Sequence, residues 1–112
     1  GLHDMFILGW VTVTADADYG LYALFHSSQH GSAGNRTFYT NPRVDELLDF
    51  ARSTSDQDAR LKAYYEVQEI LREEAPWVFL LFQTYVDGTR ANIDGFVPHP
   101  AGHHYLGRVS KN

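Results

Sequence analysis

Two aspartates and a tryptophan stand close together near the start of the chain, in GWVTVTADADYG (residues 9–20). Asp16 and Asp18 are two apart, so in extended chain their carboxylates point the same way, as a paired-carboxylate or hard-cation site requires. The same pair suits an Asp-rich turn in which one carboxylate caps a helix. No DxDxDG pattern with a distal glutamate supports a calcium loop. Trp10 is either core or the floor of a pocket at the carboxyl end of a strand, where α/β folds bind ligands. Thr12, Thr14 and Asp16, which follow it, suit the pocket.

The other reactive side chains are more scattered. There are six histidines: His3, His26, His30, His99, His103 and His104. His99 and His103 have the i,i+4 spacing of a metal pair, but only a helix would bring them together, and Pro98, Pro100 and Gly102 oppose one; surface or packing roles are favoured over zinc or nickel capture. His26, Ser27 and Ser28 are adjacent, yet there is no GxSxG elbow and no identifiable acid partner. The GSAGN loop (residues 31–35) lacks the lysine and spacing of a phosphate-binding loop. It can still present backbone N–H groups, with Arg36 either clamping a ligand carboxylate or making a structural ion pair.

These residues must be held by elements readable from periodicity. Met5 to Val13 (MFILGWVTV) is apolar and β-branched and reads as a buried strand of a parallel or mixed sheet. TADADYG turns the chain. A short helix is predicted from Tyr19 to His26, capped by Asp18, with Leu21, Leu24 and Phe25 on one side. Residues 27–41 read as a loop rich in Gly, Ser and Asn. Asn41-Pro42 opens a helix with Val44, Leu47, Leu48 and Ala51 inward. Residues 53–56 break it, and Ser55 or Asp56 caps a second helix reaching about Glu74. Its inner face is Leu61, Tyr64, Val67 or Gln68, and Leu71. Ala75-Pro76 stops that helix. Trp77 to Gln83 (WVFLLFQ) reads as a second buried strand. Residues 84–91 continue extended with Asp87-Gly88 as a turn, and the tail is mainly loop. The pattern is α/β, but two strands and one hairpin make a thin sheet whose neighbours are missing.

Composition narrows the function. The 112 residues suffice for one modest domain, and 44% hydrophobic content marks a folded chain. The formal net charge of −5 opposes nucleic-acid binding. No apolar run approaches a membrane span. Cysteine is absent, which removes disulfides, thiolate zinc sites and thiol nucleophiles. No signal peptide is visible. The opening Gly1-Leu2-His3, without an initiator methionine and running straight into a strand, reads as part of something longer.

The order of features is similar to a known family. ADADYGLYALF follows the strand tryptophan. FYTNPRVDELLDFAR comes next, with Tyr39, Asn41, Val44, Asp45, Leu47 and Leu48 in register. SDQDARLKAYYEVQEILREEAPWVFLLF ends in Glu74-Ala75-Pro76-Trp77, and GFVPHPAG closes the series. Together these resemble the C-terminal part of bacterial extracytoplasmic solute-binding proteins of family 5, the peptide-type receptors of ABC importers. The resemblance implies an incomplete lobe of a periplasmic-binding-protein type II clamshell, a mixed sheet with flanking helices. Residues 1–83 would be mostly second lobe, and residues 84–112 strands and tail returning toward the hinge and first lobe. It implies binding rather than catalysis, with no cofactor: capture of oligopeptides or glutathione-like peptides outside the cytoplasm, in the periplasm or anchored on the cell surface, for a membrane permease. Trp10, Val11, Thr12, Val13, Thr14, Asp16 and Arg36 are the expected ligand contacts.

One departure matters. Dipeptide and oligopeptide receptors of the family carry an aspartate three residues after this tryptophan, which pairs with the ligand's α-ammonium. Here that position is Val13, and a buried valine cannot neutralise an ammonium. The pattern is closer to the glutathione-binding branch, whose ligand has a γ-linkage, and to oligopeptide receptors with a Trp-Ser/Thr-rich version of this strand. Two other readings remain: a nickel or metal-chelate receptor using the tail histidines, and, from a different class, a small hydrolase using Asp16, Asp18 or His26. By itself the chain would have half a cleft, weak ligand affinity and apolar surface prone to self-association.

Overall fold

Asn41 and Pro42 open a helix as their types predict: the Asn41 side chain accepts from the N–H groups of Arg43 (2.9 Å) and Val44 (3.3 Å), and Pro42 sits in the first turn. A computed structural model describes residues 2–31 and 34–112. Contacts divide the chain into two units, one reaching Phe79 and the other running from Leu80 to Asn112.

The first unit is built on three helices. Helix α1 spans Ala17–Phe25, α2 Pro42–Ser53 and α3 Gln57–Glu74. Asp56 caps α3, accepting from Asp58 N–H at 3.0 Å and Ala59 N–H at 3.1 Å. Ala75 closes α3 in the left-handed region (φ 45°), immediately before Pro76. Val44, Leu48 and Ala51 of α2 meet Ala63, Tyr64, Val67 and Leu71 of α3, and Leu24 and Phe25 of α1 complete the core. The inner stripe of α3 is therefore shifted from the expected one: Ala63 joins it, Val67 rather than Gln68 fills the middle, and Leu61 is half exposed. At 3.6 residues per turn Leu61 falls beyond the edge of the arc set by Ala63, Val67 and Leu71. Helix α1 likewise starts two residues earlier than predicted, with Asp16 as its cap and Asp18 in its first turn.

The larger correction concerns the two apolar segments. Residues 5–13 and 77–83 form no ladder among the described residues, and neither do residues 84–91 across Asp87-Gly88. Met5 is 88% exposed, Leu81 78% and Phe82 fully exposed, so these are not buried strands here. Val13 is exposed as well. A helix closes its hydrogen bonds within itself, whereas a strand needs a neighbour to take its N–H and C=O groups. Instead of the expected mixed sheet, the described residues form three α-helices, a short 3-10 turn at Ser27–Gln29 and a two-stranded sheet.

That sheet belongs to the second unit. β1 (Ile93–Asp94) pairs antiparallel with β2 (Ser110–Lys111), in the register Ile93 to Lys111 and Asp94 to Ser110. Asn112 secures it by donating to Asp94, and Asn92 donates to the Asn112 carbonyl at 3.1 Å. Gly95 is needed beside it: φ is +76°, and a Cβ would lie 2.1 Å from the Arg108 carbonyl oxygen. No helix among the described residues is long and apolar enough to cross a membrane.

Candidate ligand-binding segment

The stretch from Trp10 to Asp16 is a turn laid against the start of α1. The Ala15 N–H donates to the Thr12 carbonyl at 2.9 Å, and the Asp16 N–H reaches Thr14 Oγ1 at 3.3 Å. Ala15 takes a positive φ of 54°, a strained conformation for a residue with a side chain. Thr12 lies close to α1: a Cβ on Gly20 would come within 3.1 Å of Thr12 Oγ1. The Trp10 ring stacks on Tyr19 (centroids 5.6 Å apart) and packs against the helical core, with Nε1 sealed away from solvent. Val11, Val13 and Thr14 are exposed. Trp10 thus faces inward while the residues after it face outward.

The two aspartates do not form a paired-carboxylate site. Each is held by its own arginine. Asp16 accepts from Arg60 through both oxygens, at 2.6 and 3.1 Å, while its Oδ1 also takes the Asp18 N–H at 2.8 Å. These bonds, first the Arg60 guanidinium and then the Asp18 amide, hold the Asp16 carboxyl below the ordinary carboxylate range. Asp18 accepts from Arg52 through both oxygens at 3.0 Å, and the Arg52 guanidinium lies 3.6 Å over the Tyr22 ring. Chemically these carboxylates cap and clamp.

Arg36 is half buried in the turn after Asn35. The Ser32 and Ala33 part of the GSAGN loop lies outside the described residues. The organiser of this loop is Asn35, which sequence reasoning passed over as one loop residue among several. It is fully buried. Its amide donates to the carbonyls of His26 (3.3 Å) and Tyr39 (2.8 Å), and its Oδ1 accepts from Tyr39 N–H and Thr37 Oγ1. Gly34 makes room: a Cβ there would sit 2.1 Å from the Ala23 carbonyl oxygen. The G-N dipeptide was the one available signal.

His26 finds the acidic neighbours that its sequence surroundings lacked. Its Nδ1 accepts from the Ser28 N–H (3.0 Å) and faces Ser28 Oγ (2.7 Å); Nε2 stands 3.4 Å from Asp49 and 3.9 Å from Asp45. Asp45 is already engaged by the Ser27 N–H (2.9 Å) and Oγ (2.5 Å). With His26 buried under Tyr22 at 4.3 Å, the cluster pins the end of α1 to α2. A second lock joins the start of α2 to the end of α3: Tyr39 Oη donates to Glu74 at 2.6 Å and Asn41 Nδ2 at 2.7 Å. Burial, then the Glu74 carboxylate, raises the Tyr39 phenol well above its ordinary value.

In the second unit His99 Nδ1 accepts from Ala101 N–H (3.1 Å) and His104 Nδ1 from His99 N–H (3.3 Å), so two of the three tail histidines brace their own turn. Among the described residues no three His, Cys, Asp or Glu side chains stand together as a metal site. An open groove of about 390 Å³ lies between α2 and α3, lined by Arg43, Glu46, Leu47, Phe50, Lys62 and Glu66 among others. None of the seven expected ligand residues lines it.

No protein-family model matches the chain. Individual relatives do. The probable D,D-dipeptide-binding periplasmic protein DdpA of Escherichia coli is 35% identical over 100 residues, which is 89% of this chain and 19% of that protein. The glutathione-binding protein GsiB of Salmonella typhimurium is 36% identical over 93 residues, 82% of this chain and 18% of its own length. GsiB of Escherichia coli is 34% identical over the same shares. The chain spans about a fifth of the length of the curated relatives it matches. These homologues are family 5 periplasmic solute-binding proteins, in accord with the resemblance seen in the sequence.

Proposed function

From this homology to family 5 solute-binding proteins over most of its length, we propose that the chain is the C-terminal portion of the substrate-binding component of an ABC importer. The component captures oligopeptides or glutathione-like peptides outside the cytoplasm and delivers them to a membrane permease. It works by binding, without catalysis. Residues 1–83 contribute mostly to the second lobe of a type II clamshell, and residues 84–112 return toward the hinge and first lobe.

The single observation that carries this reading is the 34–36% identity to DdpA and GsiB over 82–89% of the chain. The geometry is consistent with it. An extended peptide binds through main-chain hydrogen bonds to an exposed backbone edge, and Val11, Val13 and Thr14 are exposed beside Trp10 and Thr12. Asp16 supports that turn, and Arg36 supplies a cation for a ligand carboxylate. The apolar segments 5–13 and 77–83 are the sheet strands of the lobe, and their neighbours belong to the longer protein.

Val13 gives an α-ammonium no carboxylate partner, which suits glutathione, whose α-ammonium sits beside its own free α-carboxylate, better than an ordinary peptide N-terminus. Calorimetry on the full-length protein with glutathione, a D,D-dipeptide and L-peptides of two to five residues decides the matter. Glutathione heat with weak or absent L-peptide heat is the expected result. Tight L-peptide binding without glutathione heat overturns the ligand assignment, and no heat with any of them overturns the receptor reading.

A further inference from the structure

We infer that Arg60, on helix α3, is a positioning residue for the ligand-contacting segment Trp10–Thr14 and acts through Asp16. The inference rests on the receptor reading given above.

Arg60 is anchored before it reaches Asp16. Its Nε donates to the Ala51 carbonyl at the end of α2 (3.1 Å), and Nη2 also reaches Tyr64 Oη (3.1 Å). The remaining donors grip both Asp16 oxygens. A guanidinium fork fixes distance and plane together, which a lysine ammonium cannot do. Asp16 is in turn the N-cap of α1 and directly follows the turn that runs from Thr12 to Ala15. Trp10 lies against Tyr19 in the first turns of that same helix. The chain of fixed contacts runs from α2 and α3 through Arg60 and Asp16 to α1 and the Trp10–Thr14 turn. The partner of Asp16 lies 44 residues away, so local sequence preferences do not set this geometry. Arg52 on Asp18 is a second clamp of the same kind from α2, and its side chain is half exposed. Arg60 is better buried and makes more bonds, and it clamps the residue nearer the ligand segment.

The strained Ala15 gives the clamp work to do. A turn held at positive φ relaxes when its anchor is removed, and the relaxation is felt first at Thr12 and Thr14, which bond to the backbone of Ala15 and Asp16.

The test uses the full-length protein carrying this chain, labelled with 5-fluorotryptophan, with the Trp10 resonance assigned by Trp10→Phe. Arg60→Lys keeps the charge and loses the fork. Asp16→Asn keeps a competent helix cap and loses the ion pair. Both are expected to shift or broaden the Trp10 fluorine resonance. Both should weaken glutathione or D,D-dipeptide binding about tenfold, the scale of one charge-assisted hydrogen bond. Arg43→Lys, which alters a comparable surface pair between Arg43 and Glu46 and Glu66, should change neither. An unchanged Trp10 resonance and unchanged affinity in both variants overturn the inference, as does full rescue by lysine. If the wild type binds neither probe, the receptor reading fails, while the Trp10 resonance alone still decides whether Arg60 positions this segment.

Discussion

The helical layer and the two apolar segments that flank it are made of similar residues and meet opposite fates. Val44, Leu48, Ala51 and Val67 are sealed in the core, while Leu80, Leu81 and Phe82 stand in the open. Hydrophobicity alone does not separate them. The helices carry their own hydrogen bonds and need only a partner for one face. The segments 5–13 and 77–83 need partners for two edges as well as two faces. The lesson is that apolar content forecasts burial only where the backbone can be satisfied nearby.

The sharpest way to break this contrast is to cut one side chain on each side of it. Leu48→Ala is expected to destabilise the chain by about 3 kcal/mol, as for a fully buried leucine. Phe82→Ser should leave the unfolding free energy of the isolated chain, from urea denaturation, within about 0.5 kcal/mol of wild type, as at an exposed position. A large loss from Phe82→Ser would show that residues 77–83 are covered after all. Next in size is Asn35→Ala. It takes one donor from the His26 and Tyr39 carbonyls, which keep the Gln29 N–H and the His30 ring, leaves the Tyr39 amide without its Asn35 acceptor, and should cost about 2 kcal/mol, measured by the same denaturation. That outcome would place the loop with the helical core in stability; a negligible loss would place it with the open segments.

The smallest expected effect is set by pH. Asp16 has a lowered folded pKa, caused first by Arg60 and then by the Asp18 amide. Its contribution is complete above the unfolded carboxylate value and is lost as pH falls below that value through the folded one. Because the Asp16 side chain is 42% exposed, solvent screening keeps the contribution under about 1 kcal/mol. Asp16→Asn should therefore lower stability slightly at neutral pH and flatten its decline below about pH 4. An identical acid limb in both proteins would remove Asp16 from this account.

What the sequence revealed follows the same division. Asn41-Pro42, Asp56 and Ala75-Pro76 were readable because a cap acts within three residues of itself. The helical faces were readable to within one position, with Leu61 misplaced because the arc is narrow. Segments 5–13 and 77–83 were legible as apolar runs, but the buried strands read into them do not form, because a strand depends on neighbours that composition does not show. At the candidate site Trp10 and the turn aspartates were visible. The Arg60 and Arg52 clamps, the Asp45 and Asp49 neighbours of His26 and the buried Asn35 were not. Their partners lie 9 to 44 residues away, or are loop amides with no periodic signature.

The junction at Ala75 has a bearing on which structures the chain can avoid. WVFLLFQ follows an 18-residue helix after only Ala75-Pro76, and a helical extension through it would expose apolar side chains on every side. Pro76 removes an N–H and bars the right-handed helical region to the residue before it, and Ala75 answers by crossing to the left-handed side. That single residue pair suppresses the competing conformer in which the segment is wasted as a solvent-facing apolar helix. It keeps residues 77–83 out of α3, so that their backbone groups are not tied up in a helix.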